Sequence, residues 1–311
     1  MLRAVQGLAL VIALSAGMAG CGGDDGAQVV SLEKKHEIRT PAVPRAAVLR
    51  VAVGGMVTST EGLAYYRQLL DYVAEKLGMD VYLVVRDSYF EVNRLVKIGA
   101  ADAAFVSGGP YVDGHDAFGM ELLVAPRTRD GQGCYSYIIV RKDSAISSLK
   151  ELRGKRFAFT DPMSNTGRLV PLFLLAKMHE DPETFFIKTI FTRSHDRSIK
   201  AVAQGIVDGA AVNSLVWEYA DRTNPEFTAQ TRIIMRASSG GAPPVVVRRG
   251  LDPWIKEQLR RILLTAHQDE QGRSILQGMM IDRFGPIQDS AYDPVRVMKA
   301  GLARRKKGGR V

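Results

Sequence analysis

The 311-residue chain is 46% hydrophobic and 24% charged, which is ordinary for a globular protein and excludes a disordered chain. Its formal net charge of +9 falls to +3 when Arg3 and the five basic residues among the last eight are set aside. That remainder is too small to indicate a track for a polyanion, so no nucleic-acid partner is expected.

The N-terminus has the pattern of a secretory signal, which we place at residues 1–20. One positive residue precedes an apolar run, Leu8 to Ala16, and small residues lead to Cys21. The run is too short for a permanent transmembrane helix. Cys21 resembles the lipidated cysteine of a bacterial lipobox, although Met18 stands where leucine is usual. We therefore expect an exported periplasmic or cell-surface lipoprotein, with a linker at 21–47 rich in glycine and proline.

The region after the linker predicts a β-α-β-α-β series. Thr58 and Glu61 have the spacing of a capping box at the start of the first helix, and Gly78 follows its last apolar residue. Such a series implies a mainly parallel sheet, whose functional loops lie at the carboxyl ends of its strands. The loops at those ends are Gly54 to Thr60 and Ser107 to Tyr111.

A second α/β series follows, and the chain then returns to the first. We expect an α/β protein of two lobes, with a hinge and an interlobe cleft between them. The expected boundaries are 48–135 for the first part of lobe 1, 136–240 for lobe 2 with the crossing segments, 241–303 for the return to lobe 1, and 304–311 for a solvated basic tail.

The most informative stretch joins a strand, Arg156 to Thr160, to an apolar helix, Leu169 to Met178. Between them lie Asp161-Pro162 and then Ser164-Asn165-Thr166-Gly167. The free N–H groups at a helix start attract an anion, and hydroxyl and amide side chains add donors. The alternative is that Ser164 or Asn165 only caps the helix.

Several motifs in sequence order resemble the phosphate/phosphite/phosphonate-binding periplasmic proteins of ABC importers. They are Tyr135 to Ser144, Leu149 to Lys155, the stretch just described, Phe191 to Asp196, and Gly205 to Val212. The resemblance implies the two-lobed α/β fold of type II periplasmic binding proteins. It also implies a hinge-closing protein that delivers an oxyanion to a membrane permease, without a cofactor. The alternative is an oxyanion sensor that signals to a membrane histidine kinase or chemoreceptor.

The resemblance also implies ligand contacts. The family's anion loop matches Ser164, Asn165, Thr166 and Gly167, with Asn165 and Thr166 replacing the family's threonine and serine. The family's histidine matches His195, which could otherwise cap a helix or lie at the surface. The family's tyrosine matches Tyr111, and an aromatic contact from the first helix would be Tyr65 or Tyr66. The loops of lobe 1 would add Thr58, Ser59, Thr60 and Ser107, although Thr58 could instead be a cap.

Enzymatic activity has little support, because the five histidines lie in separate segments and no nucleophile elbow or Walker loop is present. No metal site is expected. Cys134 by default is a buried small hydrophobe. As a thiolate near the cleft it could instead bind arsenite. We expect a monomer.

Overall fold

The computed structural model describes residues 48–54, 60–127 and 134–308. The predicted signal peptide, Cys21 with the linker, Thr58 and Ser59 lie outside the described residues, as does the side chain of Thr60. Within the described ranges, no helix has the length and apolar character needed to cross a membrane.

Strands and helices alternate along most of the chain. In order they are β1 (Val48–Gly54), α1 (Thr60–Leu77), β2 (Asp80–Arg86), α2 (Tyr89–Lys97), β3 (Ala103–Phe105), α3 (Gly108–Phe118), β4 (Glu121–Arg127), β5 (Tyr135–Arg141), β6 (Arg156–Phe159), α4 (Val170–Lys177), α5 (Pro182–Phe185), β7 (Lys188–Phe191), α6 (His195–Ala203), β8 (Gly209–Asn213), α7 (Ser214–Thr223), β9 (Thr231–Ser238), β10 (Val245–Val247), α8 (Pro253–Thr265), α9 (Glu270–Gly278), β11 (Arg283–Gly285) and α10 (Asp293–Gly308). Short helical turns lie at Leu149–Leu152, Asn165–Leu169, Thr228–Gln230, Ala266–Gln268 and Asp289–Tyr292.

Two separate sheets form the centres of two α/β lobes. In the described part of the chain, the sheet of lobe 1 has the strand order β11-β4-β10-β3-β1-β2, and that of lobe 2 has the order β7-β6-β8-β5-β9. In lobe 1, β1 is parallel to both β2 and β3, while β10 is antiparallel between β3 and β4. The chain therefore leaves lobe 1 after β4 and returns to it after β9.

Helices cover both faces of each sheet. On lobe 1, α1, α8 and α9 bury one face with side chains such as Leu69, Ile262 and Leu276. The other face packs against α2, α3 and α10, and α4 from lobe 2 joins this same core through Val170. Because apolar side chains of α4 enter cores of both lobes, this helix links the two halves of the molecule.

The structure corrects the expected loop from Ser107 to Tyr111. Ser107 is extended at the N-cap position, and α3 begins at Gly108. The two glycines and the proline at the start of this helix resemble a turn in sequence, but a proline is compatible with a helix's first turn.

The C-terminal region also differs from the expected solvated tail, because α10 continues through Gly308. Lys299 Nζ donates to the carboxylate of Asp113 in α3, at 2.7 and 2.8 Å. Arg305 donates to the carbonyl of Ala176 in α4. The helix is thus bonded to both lobes.

Candidate functional site

The loop between β6 and α4 opens with a widened helical turn. The N–H of Leu169 donates to the carbonyl of Ser164 at 3.0 Å, five residues earlier. Ser164 Oγ accepts from the N–H of Gly167, also at 3.0 Å. Ser164 therefore acts as a helix cap, as one of the two sequence interpretations proposed.

Two threonines of this loop carry buried hydroxyls. Thr160 and Thr166 are at most 1% exposed. Neither hydroxyl has a hydrogen-bond partner among the described residues. A buried hydroxyl without a partner costs about 1–3 kcal/mol, so such groups are rare unless they serve a ligand. Both hydroxyls can donate to an anion.

Gly167 allows the Thr160 hydroxyl to lie close to the loop backbone. A Cβ atom at this position would lie 1.8 Å from Thr160 Oγ1 and 2.8 Å from Thr160 Cβ. Any other residue would therefore collide with Thr160, which supports a structural need for glycine here.

His195 is the first residue of α6 and is 1% exposed. Its Nδ1 accepts the backbone N–H of Asn213 at 3.0 Å. Burial lowers the pKa of His195 from 6.5 to about 4, although Asp196 acts in the opposite direction. The imidazole is therefore neutral at pH 7, and its proton lies on Nε2, which makes that nitrogen a donor.

Lobe 1 contacts this loop directly. The N–H of Asn165 donates to Ser107 Oγ at 3.3 Å, and the N–H of Tyr89 donates to Asp161 Oδ2 at 3.3 Å. A Cβ atom on Gly109 would lie 2.4 Å from the carbonyl oxygen of Met163. The starts of α2 and α3 thus meet the lobe 2 loop, which brings Ser107 beside Asn165.

The side-chain amide of Asn165 is already engaged in a hydrogen bond. Its Nδ2 already donates to the carbonyl of Ser239 at 2.7 Å, in the segment that returns to lobe 1. Its Oδ1 is buried and has no partner among the described residues. The side chain therefore connects the loop to the returning segment, and its backbone faces lobe 1.

The predicted aromatic contacts lie in two different places. Tyr65 and Tyr66 both line a cleft between the lobes. The hydroxyl of Tyr111 instead donates to Asp289 at 2.7 Å, and its ring lies 4.6 Å from that of Tyr292. In this structure Tyr111 belongs to the core of lobe 1, because its polar atom already has a partner.

Cys134 is buried, and Asn213 Nδ2 donates to its sulfur at 3.2 Å. Burial raises the pKa of this thiol to about 11. The protonated form therefore prevails at neutral pH, and this argues against a preformed thiolate ligand for arsenite. Among the described residues, no group of three or more His, Cys, Asp or Glu side chains could hold a metal ion.

The sequence predicts only that Asp161 is part of a turn. The structure buries its carboxyl, which accepts the N–H groups of Met163 and Tyr89 from opposite lobes. Burial also raises the pKa of Asp161. Its position directly after a buried strand is the signal in the sequence that could have indicated burial. The bond to lobe 1 could not be predicted, because its donor, Tyr89, lies 72 residues away.

The chain crosses twice between two α/β lobes, which meet at a loop with buried hydrogen-bond donors. This arrangement defines a two-lobed solute-binding protein. The family described as "ABC transporter, phosphonate, periplasmic substrate-binding protein" matches residues 55–292. The chain belongs to this family, which confirms the predicted membership.

Relatives and solved structures agree with this assignment. The phosphonates-binding periplasmic protein of Escherichia coli K12 is 23% identical over 232 residues, which cover 73% of this chain and 68% of the relative. A binding protein of an ABC phosphonate transporter from Pseudomonas aeruginosa has a TM-score of 0.77 at 23% identity, covering 82% of this chain and 86% of its own. A Prochlorococcus marinus protein in complex with methylphosphonate has a TM-score of 0.75 at 20% identity, covering 82% and 98%. The predicted fold is confirmed.

Proposed function

We propose that this substrate-binding protein captures a tetrahedral phosphorus oxyanion, namely a phosphonate, phosphite or phosphate, and presents it to an ABC permease. The observation that carries the proposal is the pair of buried donors on lobe 2: the Thr166 hydroxyl, without a partner among the described residues, and the neutral His195. Neutral donors in a buried site bind an anion through charge-assisted hydrogen bonds. The family description names an ABC transporter, which favours this role over a sensor.

The proposed site contains Ser164, Asn165, Thr166, Gly167 and His195 from lobe 2, with Ser107 from lobe 1. Thr58, Ser59 and Thr60 stay in the proposal from sequence alone, as does an aromatic contact from Tyr65. The Ser164 hydroxyl accepts the N–H of Gly167, and its own proton can still be donated to the ligand. Ligand held from both lobes would favour the arrangement in which they meet.

Calorimetric titration of the purified chain with methylphosphonate, phosphite, phosphate and sulfate tests this proposal. We expect saturable binding of at least one phosphorus oxyanion and a weaker response to sulfate. Absence of binding to every phosphorus oxyanion would contradict it. Phosphorus NMR after prolonged incubation should show the bound compound unchanged, because we propose binding without turnover.

We further propose export followed by lipidation at Cys21, and a monomeric state. Family membership supports export, and the small residues before Cys21 support the anchor. Incorporation of labelled palmitate that disappears in Cys21→Ser would support lipidation, and equal incorporation in both proteins would exclude it. Sedimentation of the protein at several concentrations tests the monomer.

A further inference from the structure

An apolar cleft lies between the lobes, with about 690 Å³ of empty space when the solvent at its mouth is included. Lobe 1 contributes Tyr65, Tyr66 and Phe105 to its walls, and lobe 2 contributes Leu215, Val216 and Tyr219.

On both lobes, residues that line the cleft lie close in sequence to residues of the proposed anion site. On lobe 1, Phe105 ends β3 two residues before Ser107, whose Oγ accepts the N–H of Asn165. On lobe 2, the N–H of Leu215 donates to Asn213 Oδ1 at 2.9 Å, and Asn213 in turn donates to His195. Each wall is thus connected to a proposed anion contact within two residues.

The walls are apolar and ordered. The rings of Tyr66 and Phe105 pack edge to face with centroids 5.0 Å apart, and Val216 is 4% exposed. No charged side chain is among the described residues that line the cleft. A ligand group placed here exchanges water for hydrocarbon and aromatic surface, which favours apolar groups.

Two described carboxylates close to the cleft or the anion loop already have partners. Glu218 precedes the cleft residue Tyr219 in α7, but it accepts the hydroxyl proton of Tyr137. Asp161, near the anion loop, accepts two backbone N–H groups. A ligand ammonium in this cleft would lose its hydration without a carboxylate from the described walls in return.

We infer that the cleft holds the substituent of the bound oxyanion, and that this substituent is an uncharged alkyl or aryl group. The inference rests on the proposed oxyanion function and specifies its substrate class: phosphonates with an apolar chain, in preference to inorganic phosphate or an aminoalkylphosphonate. The oxyanion would be held by the loop and His195, and the chain would extend between the tyrosines of the two lobes.

Calorimetric titration of the full chain with methyl-, propyl-, pentyl- and phenylphosphonate tests the inference. Each buried methylene should tighten binding roughly fourfold, the equivalent of about 0.8 kcal/mol. Propylphosphonate and 2-aminoethylphosphonate have the same number of heavy atoms and differ by a terminal methyl or ammonium. We expect propylphosphonate to bind at least ten times more tightly.

Two variants test whether the cleft is the place where the substituent binds. Leu215→Gln and Val216→Thr should weaken propylphosphonate binding at least fivefold and leave methylphosphonate binding within twofold. Ile187→Gln, at a position that is 74% exposed and does not line the cleft, is the matched control. If Val216→Thr does not fold, Leu215→Gln still tests the inference, because Leu215 is only half-buried.

The outcomes of these titrations distinguish failure of this inference from failure of the proposed oxyanion-binding function. Affinity that rises with chain length and falls in the cleft variants supports the inference. Binding of methylphosphonate with no dependence on chain length, or tighter binding of 2-aminoethylphosphonate, overturns the inference and leaves the proposed function in place. Failure of every phosphorus oxyanion to bind overturns both.

Discussion

The backbone N–H of Asn213 lies 3.0 Å from Nδ1 of His195 and donates a hydrogen bond to it. This bond comes from the end of β8, a different element from the helix that His195 begins. It fixes the tautomer of a buried, neutral imidazole and therefore determines which nitrogen can donate to a ligand.

The first prediction concerns acid stability. The pKa of His195 is about 4 in the folded protein, against 6.5 as its ordinary value. Between these values the unfolded chain binds a proton that the folded protein does not, so stability is lost as the pH falls from 6.5 to 4. The loss should reach roughly 3 kcal/mol and cease below pH 4.

Urea unfolding of the parent and His195→Gln at pH 7.5, 5.5 and 4.5 checks this. The raised pKa of the buried Asp161 instead increases stability as the pH falls, but both proteins contain this residue. The difference between their unfolding free energies should therefore shrink or reverse as the pH falls. A difference that is constant with pH would contradict a neutral, buried His195.

The second prediction concerns Thr166→Val. This change removes a buried hydroxyl that has no partner among the described residues, so the free energy of unfolding should rise, by up to about 3 kcal/mol. Oxyanion affinity should fall about tenfold to a hundredfold, because a hydrogen bond to a charged group contributes roughly 1.5–3 kcal/mol. Thr184→Val, at an exposed position on the same lobe, is the control. Unchanged affinity in Thr166→Val would remove this residue from the site.

The third prediction concerns Gly167→Ala. The new methyl group would overlap Thr160 Oγ1, and overpacking of this kind should destabilise the protein by about 1–3 kcal/mol. Thr160→Gly removes all three atoms that lie nearest. The double variant should therefore be more stable than the sum of the two single effects, as measured by a double-mutant cycle in urea. Strict additivity would show that the two residues do not contact each other.

The fourth prediction compares two glycines. In Gly109→Ala the Cβ would lie 2.4 Å from the backbone oxygen of Met163 on the other lobe. We expect the lobes to separate slightly and oxyanion affinity to fall at least tenfold, with the fold retained. In Gly301→Ala the nearest atom, from Phe173, lies at 3.4 Å. This helical position should gain about 0.5–1 kcal/mol of stability, with affinity unchanged.

Calorimetry and thermal unfolding of both variants check the comparison. Similar affinities in the two variants would mean that the contact between Gly109 and Met163 does not affect binding.

The fifth prediction concerns Cys134, in a Cys21→Ser background where it is the remaining cysteine. Its thiol is buried, with its pKa raised to about 11, so Ellman's reagent at pH 8 should react only after unfolding. Arsenite should not change the melting temperature. A stabilising shift that disappears in Cys134→Ser would restore the arsenite interpretation.

Much of the architecture could be predicted from local patterns. Apolar periodicity and turn residues predicted the alternating strands and helices, because these signals lie within each element. The loop from Asp161 to Gly167 could be found for the same reason: a strand, a turn and a helix follow one another directly in the chain. Three helices were missed: α3, which begins with Gly108-Gly109-Pro110; the single turn of α5; and α10, whose many charges predicted a solvated end.

The contacts of the site were harder to predict because they join distant segments. Nothing near His195 in sequence indicates that its acceptor nitrogen is satisfied by Asn213, and nothing near Tyr111 indicates that Asp289 takes its hydroxyl proton. The apolar cleft likewise combines residues from α1, β3 and α7. Its character depends on how the lobes meet, and no single stretch contains that information.

Helix α10 has a consequence for how affinity can be set. Its bonds from Lys299 to Asp113 and from Arg305 to Ala176 hold opposite lobes with one element. A rotation that moves α4 away from α3 would stretch or break one of these bonds, and the C-terminal end of the chain would then contribute to the free energy between an open and a closed form. Because observed affinity scales with the population of the closed form, evolution could retune how tightly this protein retains its ligand by changing residues that never touch it.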